Sequence, residues 1–256
     1  MIDLDKAKKE FEKYVKPYDI QNAKISRKIT HSYRVVDVSE QIAKSLNLTE
    51  EDIELAKLIG LLHDIGRFEQ IRIYDTFSDK DSIDHANLGV KILFEDGLIR
   101  NFIEENKYDE IIYKAIKNHN KYAIEEGLNE RELLHAKIIR DADKTDIYEI
   151  YINDLAKNVY VAYNYDNISK EKISDKILET VKAHKLVNRY DIKNEADKYV
   201  SSLAFVFDFY FKKGLEIVKE RQYITKLINR VKTKDNEAEM NLIEENIQEY
   251  FKERNV

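Results

Sequence analysis

The stretch EEDIELAKLIGLLHDIG (residues 50–66) decides how this chain folds. Ile53, Ala56, Leu58, Ile59, Leu61 and Leu62 nearly encircle a helix axis. A helix apolar on all sides belongs in the middle of a bundle. Thr49, followed three residues later by Asp52, marks its N-terminus. Gly66 reads as its terminator, which predicts a helix over about 50–65. At the end of this helix stand His63 and Asp64. Burying an ionised carboxylate costs several kcal/mol or more unless it is paired or bound to metal. Such a pair at the mouth of a buried helix suits a metal ion; on the plainer reading it is a hydrogen-bonded helix end.

Working outward, helical periodicity predicts helices over 3–15, where Pro17 ends the run, and 22–47. Residues 67–83 lack it and read as a loop over one face. Its Phe68, Tyr74 and Phe77 suit a lid, a platform for a base, or core filler beneath the loop. Helices resume near 84–96, 98–106, 108–119, 130–150 and 152–163. From about 166 the chain is more charged but still helical, and 232–256 reads as a solvated helix face. One proline and six glycines in 256 residues leave few turns, which favours long helices over a β-rich fold. The expectation is an all-α bundle with a core at about 20–165 and a helical extension, 166–256, packed on it.

Hydrophobic residues make up 43% of the chain, enough for a sizeable core. The net charge of −6 argues against non-specific nucleic-acid binding, which needs Lys and Arg on phosphates. With no cysteine, disulfides, thiolate zinc sites and a catalytic thiol are excluded. The N-terminal MIDLDKAKKEFEKYVK has no apolar signal core, and FVFDFYF (205–211) is too short for a membrane span and contains Asp208. Together these features read as a cytoplasmic protein with no membrane partner.

Several histidines and carboxylates fall on apolar stripes. His31 lies in line with Val35, Val38 and Ile42. His119 follows Ile112, Ala115 and Ile116, and His85 precedes Leu88 and Ile92. Asp143 lies among Ile139, Ile147 and Ile150. Four segments therefore aim an imidazole or carboxylate inward, a mixture suited to a hydrolytic divalent metal. His184 has the same placement, beside Val181 and Val187, so position on a stripe does not by itself identify a ligand.

The order His31 … His63-Asp64 … Asp143, with LIGLLHDIGRF (58–68) and IIRDADKTD (138–146), resembles the HD-domain metal-dependent phosphohydrolase superfamily. DHANLGVKIL (84–93) and AIKNHNK (115–121) are similar to the intervening histidine segments of its two-metal members. The resemblance covers about residues 20–165. It implies that His31, His63, Asp64 and Asp143 hold a metal, that Asp64 can bridge two, and that His85 and His119 hold the second. Asp141 is the rival of Asp143 within RDADK.

Two positions depart from the pattern. Some members have consecutive histidines where this chain has His119-Asn120. Several nucleotidases and alarmone hydrolases of the superfamily carry an acid three residues after the HD aspartate, where this chain has Arg67. Arginine cannot activate water but can hold phosphate through its fork. Asp64 and Arg67 are therefore the expected catalytic residues, with Lys121 and Lys144 as weaker phosphate ligands. The implied activity is hydrolysis of a phosphomonoester or phosphodiester, of a nucleotide above all. One or two ions among Mn, Fe, Co, Ni, Mg and Zn would activate the water. The alternative is a non-catalytic metal- or nucleotide-binding regulator on the same scaffold.

Overall fold

The computed structural model describes residues 2–153 and 165–256, and among them there are helices and no strands. The all-α expectation holds. The chain divides into two compact units, Met1–Asp146 and Ile147–Val256. The helix expected at 152–163 lies outside the described residues, apart from 152–153 at the end of α8.

The first unit contains α1 (Leu4–Val15), α2 (Ala23–Ser45), α3 (Glu50–Leu62), α4 (Ile65–Tyr74), α5 (His85–Val90), α6 (Ile99–Phe102) and α7 (Asp109–Asn118). It also contains most of α8 (Glu130–Asn153). Helix starts follow local chemistry. Asn22 and Asp84 accept from the backbone N–H of Lys24 and Asn87. Thr49 accepts from Asp52 N–H while its hydroxyl donates to the Asp52 carboxylate. At α8, Asn129 accepts from the N–H groups of Arg131 and Glu132, and Glu132 accepts from Asn129 N–H. These contacts satisfy amide donors that a helix start leaves without partners.

As its composition predicts, α3 is central. Ile53, Leu55, Ala56 and every residue from Leu58 to Leu62 are buried. It packs chiefly along α2, which carries His31.

Two expectations around Gly66 fail, for one reason. The helix breaks at His63-Asp64, where Asp64 has φ −105 and ψ 18, and α4 restarts at Ile65. Gly66 therefore sits inside the first turn of α4 and terminates nothing. It is small because α5 lies against it: a Cβ would stand 2.3 Å from the His85 carbonyl oxygen and 2.6 Å from Gly89 N. Residues 67–74 are helix rather than loop, and the loop is confined to 75–84. Ile65, Phe68 and Ile71 form the buried stripe of α4. The fully buried Gln70 interrupts that apolar pattern and ties the loop down through Asp79, Ser82 and the Ile83 carbonyl. Phe68 is core filler, its ring 5.7 Å from those of Phe11 and Tyr18. Tyr74 is exposed.

The second unit contains the end of α8 and α9 (Tyr165–Ile168), α10 (Asp175–Lys182), α11 (Glu195–Leu203), α12 (Lys212–Glu220), α13 (Tyr223–Val231) and α14 (Glu237–Glu253). Its core joins Tyr148, Ile177, Val200, Leu227 and Ile247. The 232–256 tail is not simply a solvated face: α14 buries Met240, Ile243, Ile247, Tyr250 and Phe251 in that core. Its charges are the outer side of an amphipathic helix. No helix among the described residues is long and apolar enough to cross a membrane.

Gly66→Ala is expected to destabilise the protein by about 3 kcal/mol, because both clashing atoms are backbone and cannot step aside. At Gly89 an added Cβ meets nothing nearer than 3.5 Å. Gly89→Ala should therefore stay within about 1 kcal/mol of the parent. Urea unfolding of the full chain reads both; equal losses would contradict the close α4–α5 crossing.

Candidate metal centre

The break between α3 and α4 brings His63 and Asp64 to a point where α2, α5, α7 and α8 each add a side chain. His31 Nε2 lies 3.1 Å from His63 Nε2, 3.3 Å from Asp64 Oδ2 and 3.2 Å from Asp143 Oδ1. His63 Nε2 lies 3.5 Å from the same Asp64 oxygen and 3.6 Å from Asp143 Oδ1. On the other side of Asp64, Oδ1 is 3.4 Å from His85 Nε2 and 3.6 Å from His119 Nε2, and those two nitrogens are 3.0 Å apart. One carboxylate thus faces two donor sets, one with each oxygen. His31, His63 and Asp64 are fully buried, His85 and His119 nearly so. Asp143 has 15% side-chain exposure and is the member that solvent reaches.

The orientation of the four imidazoles is fixed from behind. His63 and His119 direct Nδ1 at the carbonyls of Gly60 and Ile116, at 2.8 and 2.6 Å. His31 and His85 direct theirs at the carboxylates of Asp146 and Asp79, both at 2.6 Å. Every partner is an acceptor, so every Nδ1 carries the proton and donates. Each Nε2 then turns inward, and two pairs of nitrogens face one another at hydrogen-bond distance. Such an arrangement needs a cation, proton or metal, between the lone pairs. Donor atoms about 2.1 Å from one ion stand about 3.0 Å apart in cis octahedral and about 3.4 Å in tetrahedral geometry. The observed separations, 3.0 to 3.6 Å, cover that range and run slightly beyond it, and three overlapping groups among the described residues could hold an ion: His31/His63/Asp64, His63/His119/Asp143 and Asp64/His85/His119. Imidazole with carboxylate is the right donor chemistry for a first-row divalent metal.

Side-chain charges balance the cluster in part. Lys28, buried on α2 one turn before His31, is hydrogen-bonded to Asp64 Oδ2. Burial pushes the Lys28 ammonium down, against the pull of Asp64. Burial works against ionisation of Asp64 too, but Lys28 and the His63, His119 and His31 rings hold its pKa well below the ordinary value. Burial and Lys28 likewise oppose protonation of His31, yet hydrogen bonds to Asp143, Asp146 and Asp64 prevail and raise its pKa to about 10. His85 goes the other way: burial and the Arg67 charge outweigh Asp79 and lower it to about 3. Asp143 is held well below the usual range by His31 and His63 despite its burial.

All six histidine and aspartate positions expected from sequence converge here. Asp141, the rival of Asp143, is fully buried and belongs to none of the metal-like groups among the described residues. Arg67 Nη1 donates to Gln70, the Phe77 carbonyl and Asp79 at 2.7, 2.7 and 2.9 Å. Its buried Nε has no hydrogen-bond partner and lies 3.6 Å from Asp64 Oδ1. Lys121 is ion-paired with Asp84, and Lys144 is buried on α8. Phe77 is neither core filler nor exposed: Lys28 and Arg67 both lie 5.6 Å from its ring.

Sequence reasoning missed Lys28, Asp79, Asp146 and Arg140. Lys28 interrupts the apolar stripe between Ile25 and His31, a signal available in the sequence. Asp146 lies one turn beyond Asp143 and is gripped by Arg34 as well as by His31. Buried Arg140 donates to the carbonyls of Asn118, Lys121 and Tyr122, fixing the segment that carries His119 against α8.

A metal needs the His31 Nε2 lone pair, whereas a raised pKa means a proton holds it up to about pH 10. Ion binding at pH 7 must therefore release that proton, and affinity should rise with pH. Titration calorimetry with Mn²⁺ in buffers of different ionisation enthalpy should report about one proton released. Asp146→Asn should weaken binding about 10- to 100-fold. No proton release and an unaltered affinity would remove His31 from the donor set.

An HD-domain family model matches residues 29–148, the stretch that carries all of these side chains except Lys28, which lies one residue before it. No curated protein and no solved structure matches the chain significantly. A match that begins two residues before His31 and ends two beyond Asp146 takes in both donor sets and the two backing carboxylates. Over residues 29–148 the chain is therefore similar to the HD domain, the domain of a superfamily of metal-dependent phosphohydrolases.

Proposed function

We propose that the chain hydrolyses a phosphomonoester or phosphodiester, of a nucleotide in the first instance, at the cluster around Asp64. The observation that carries this reading is the complete donor set: four imidazole nitrogens turned inward around a carboxylate that offers one oxygen to each side. A non-catalytic binding module has little need of so many convergent groups. Divalent ions held by these residues would supply Lewis acidity for activating water and offsetting charge on phosphoryl oxygens. Mn²⁺, Fe²⁺, Co²⁺, Ni²⁺ and Zn²⁺ suit the imidazole-rich set better than Mg²⁺, which favours oxygen and water.

The chain's own residues do the rest. His31, His63 and Asp143 define one side of the site, and His85 and His119 the other. Their Nδ1 anchors keep the rings from turning. Asp143 is the member of the cluster that solvent reaches, so a substrate would meet it first. Arg67, gripped at Nη1, keeps its Nε unpartnered near Asp64, which suits that N–H to donate to a phosphoryl oxygen without losing its own position. Lys121, already paired with Asp84, is a poorer candidate.

The test is hydrolysis of p-nitrophenyl phosphate, bis-p-nitrophenyl phosphate and a nucleotide panel by the Mn²⁺-loaded chain. His63→Ala and Asp64→Ala should each lower kcat/KM on the order of a thousandfold or more. Arg67→Ala should raise KM about tenfold. A fully metal-loaded protein inert toward every ester, or a His63→Ala variant as active as its parent, would refute the proposal.

A further inference from the structure

Lys28 occupies a position that a merely structural lysine has no reason to take. It is 2% exposed, and burying an ammonium is costly. Its partner is not a spare carboxylate but Asp64 Oδ2, the oxygen that lies 3.3 and 3.5 Å from the Nε2 atoms of His31 and His63. Arg67 stands in the matching place on the other side, its Nε 3.6 Å from Asp64 Oδ1. The ring of Phe77 spans the two cations, 5.6 Å from each, and the Phe77 carbonyl holds Arg67. Each oxygen of the central carboxylate therefore has one protein cation beside it, and the two cations share one aromatic floor.

We propose that Lys28 is the internal counter-cation of Asp64, competing with a divalent ion for Oδ2, and that once displaced it joins Arg67 as the second ligand for a phosphoryl oxyanion. This rests on the metal-dependent reading above, with Asp64 between the two donor sets. An ammonium and a divalent ion on one carboxylate oxygen repel each other, so the ion loosens the lysine. A four-carbon stem lets the ammonium move without the helix moving. Phe77 keeps it near Arg67, and a tetrahedral oxyanion with several charged oxygens can take both cations at once. The ligand class is a phosphoryl group, whatever the alcohol it esterifies.

The experiment uses the full chain and two ligands, Mn²⁺ alone and then inorganic phosphate on the Mn²⁺-saturated protein, both by titration calorimetry. Lys28→Met keeps the length of the stem and removes the charge. It should bind Mn²⁺ at least about fivefold tighter and phosphate at least about tenfold weaker than the parent. Lys28→Arg, whose fork grips a carboxylate through two N–H groups, should bind Mn²⁺ several-fold more weakly yet hold phosphate within about threefold. Should Lys28→Met fail to fold, the Lys28→Arg comparison stands alone, and an unchanged Mn²⁺ affinity there overturns the proposal. It is equally overturned if Lys28→Met binds Mn²⁺ no tighter, or if its phosphate affinity is unchanged. A parent protein that takes up no Mn²⁺ defeats the metal-dependent reading itself, whereas equal affinities in parent and variants defeat only the role given to Lys28.

Discussion

The structure is organised by the cost of turning four imidazole nitrogens and two carboxylates toward one another inside an apolar bundle. Nothing in the packing of α2 or α3 would place His31 Nε2 3.1 Å from His63 Nε2 for its own sake, because two lone pairs at that distance repel. The arrangement holds only if something positive lies between them. Protons do part of this, as the high pKa of His31 shows, and Lys28 does part on Asp64. On the other side Arg67 stands beside Asp64 Oδ1, but no proton serves the paired rings through His85, which burial and Arg67 keep neutral near pH 7. The bundle is thus built around a deficit of positive charge that a divalent ion satisfies well.

That deficit also explains how rigid the surroundings are. A ligand contributes most when its geometry is set before the ion arrives. The His31 and His85 rings are each backed by a carboxylate, and each of those is gripped by an arginine: Asp146 by Arg34, and Asp79 by Arg67. The other two, His63 and His119, each lean on the carbonyl three residues earlier in their own helix. A carboxylate behind an imidazole raises its basicity, and an arginine behind the carboxylate keeps the buried charge from standing alone. The two donor sets also differ in composition: Asp143 adds a carboxylate beside His31 and His63.

The centre of this design was legible in the sequence because residue type and helical spacing agree there. An all-apolar helix ending in His63-Asp64 has one sensible place, and His31 and Asp143 ride on stripes that must face it. Asp141 and Asp143, two residues apart, are about 200° apart around a helix, so only one can face the cluster. Choosing between them took a motif rather than periodicity. What lay hidden depends on contacts between segments. Gly66 resembles a helix stop in sequence, and only the backbone of α5 shows why it is small. Asp79 sits in an aperiodic loop and acquires its role from His85 and Arg67, neither of which is a neighbour in sequence. Lys28 could have been found, because a charge one turn from His31 on the same stripe is anomalous.

The two departures from the family pattern, Arg67 and Asn120, turn out to be one. They lie 53 residues apart in sequence, yet both donate to the same carboxylate: Arg67 Nη1 to Asp79 Oδ1 at 2.9 Å, and Asn120 Nδ2 to Asp79 Oδ2 at 3.1 Å. An acid at the first position would repel Asp79, and a metal-binding histidine at the second would withdraw a donor from it. With both positions occupied by donors, Asp79 can be buried against His85 and still have both oxygens satisfied. Asn120 also reaches Asp84, the cap of the helix that begins with His85, at 3.2 Å. These residues therefore trade groups that could touch water or metal for a firmer hold on one imidazole. A chain with an acid at the first position could not keep Asp79 in this place, and the departures are best understood together, as the way this chain orients His85.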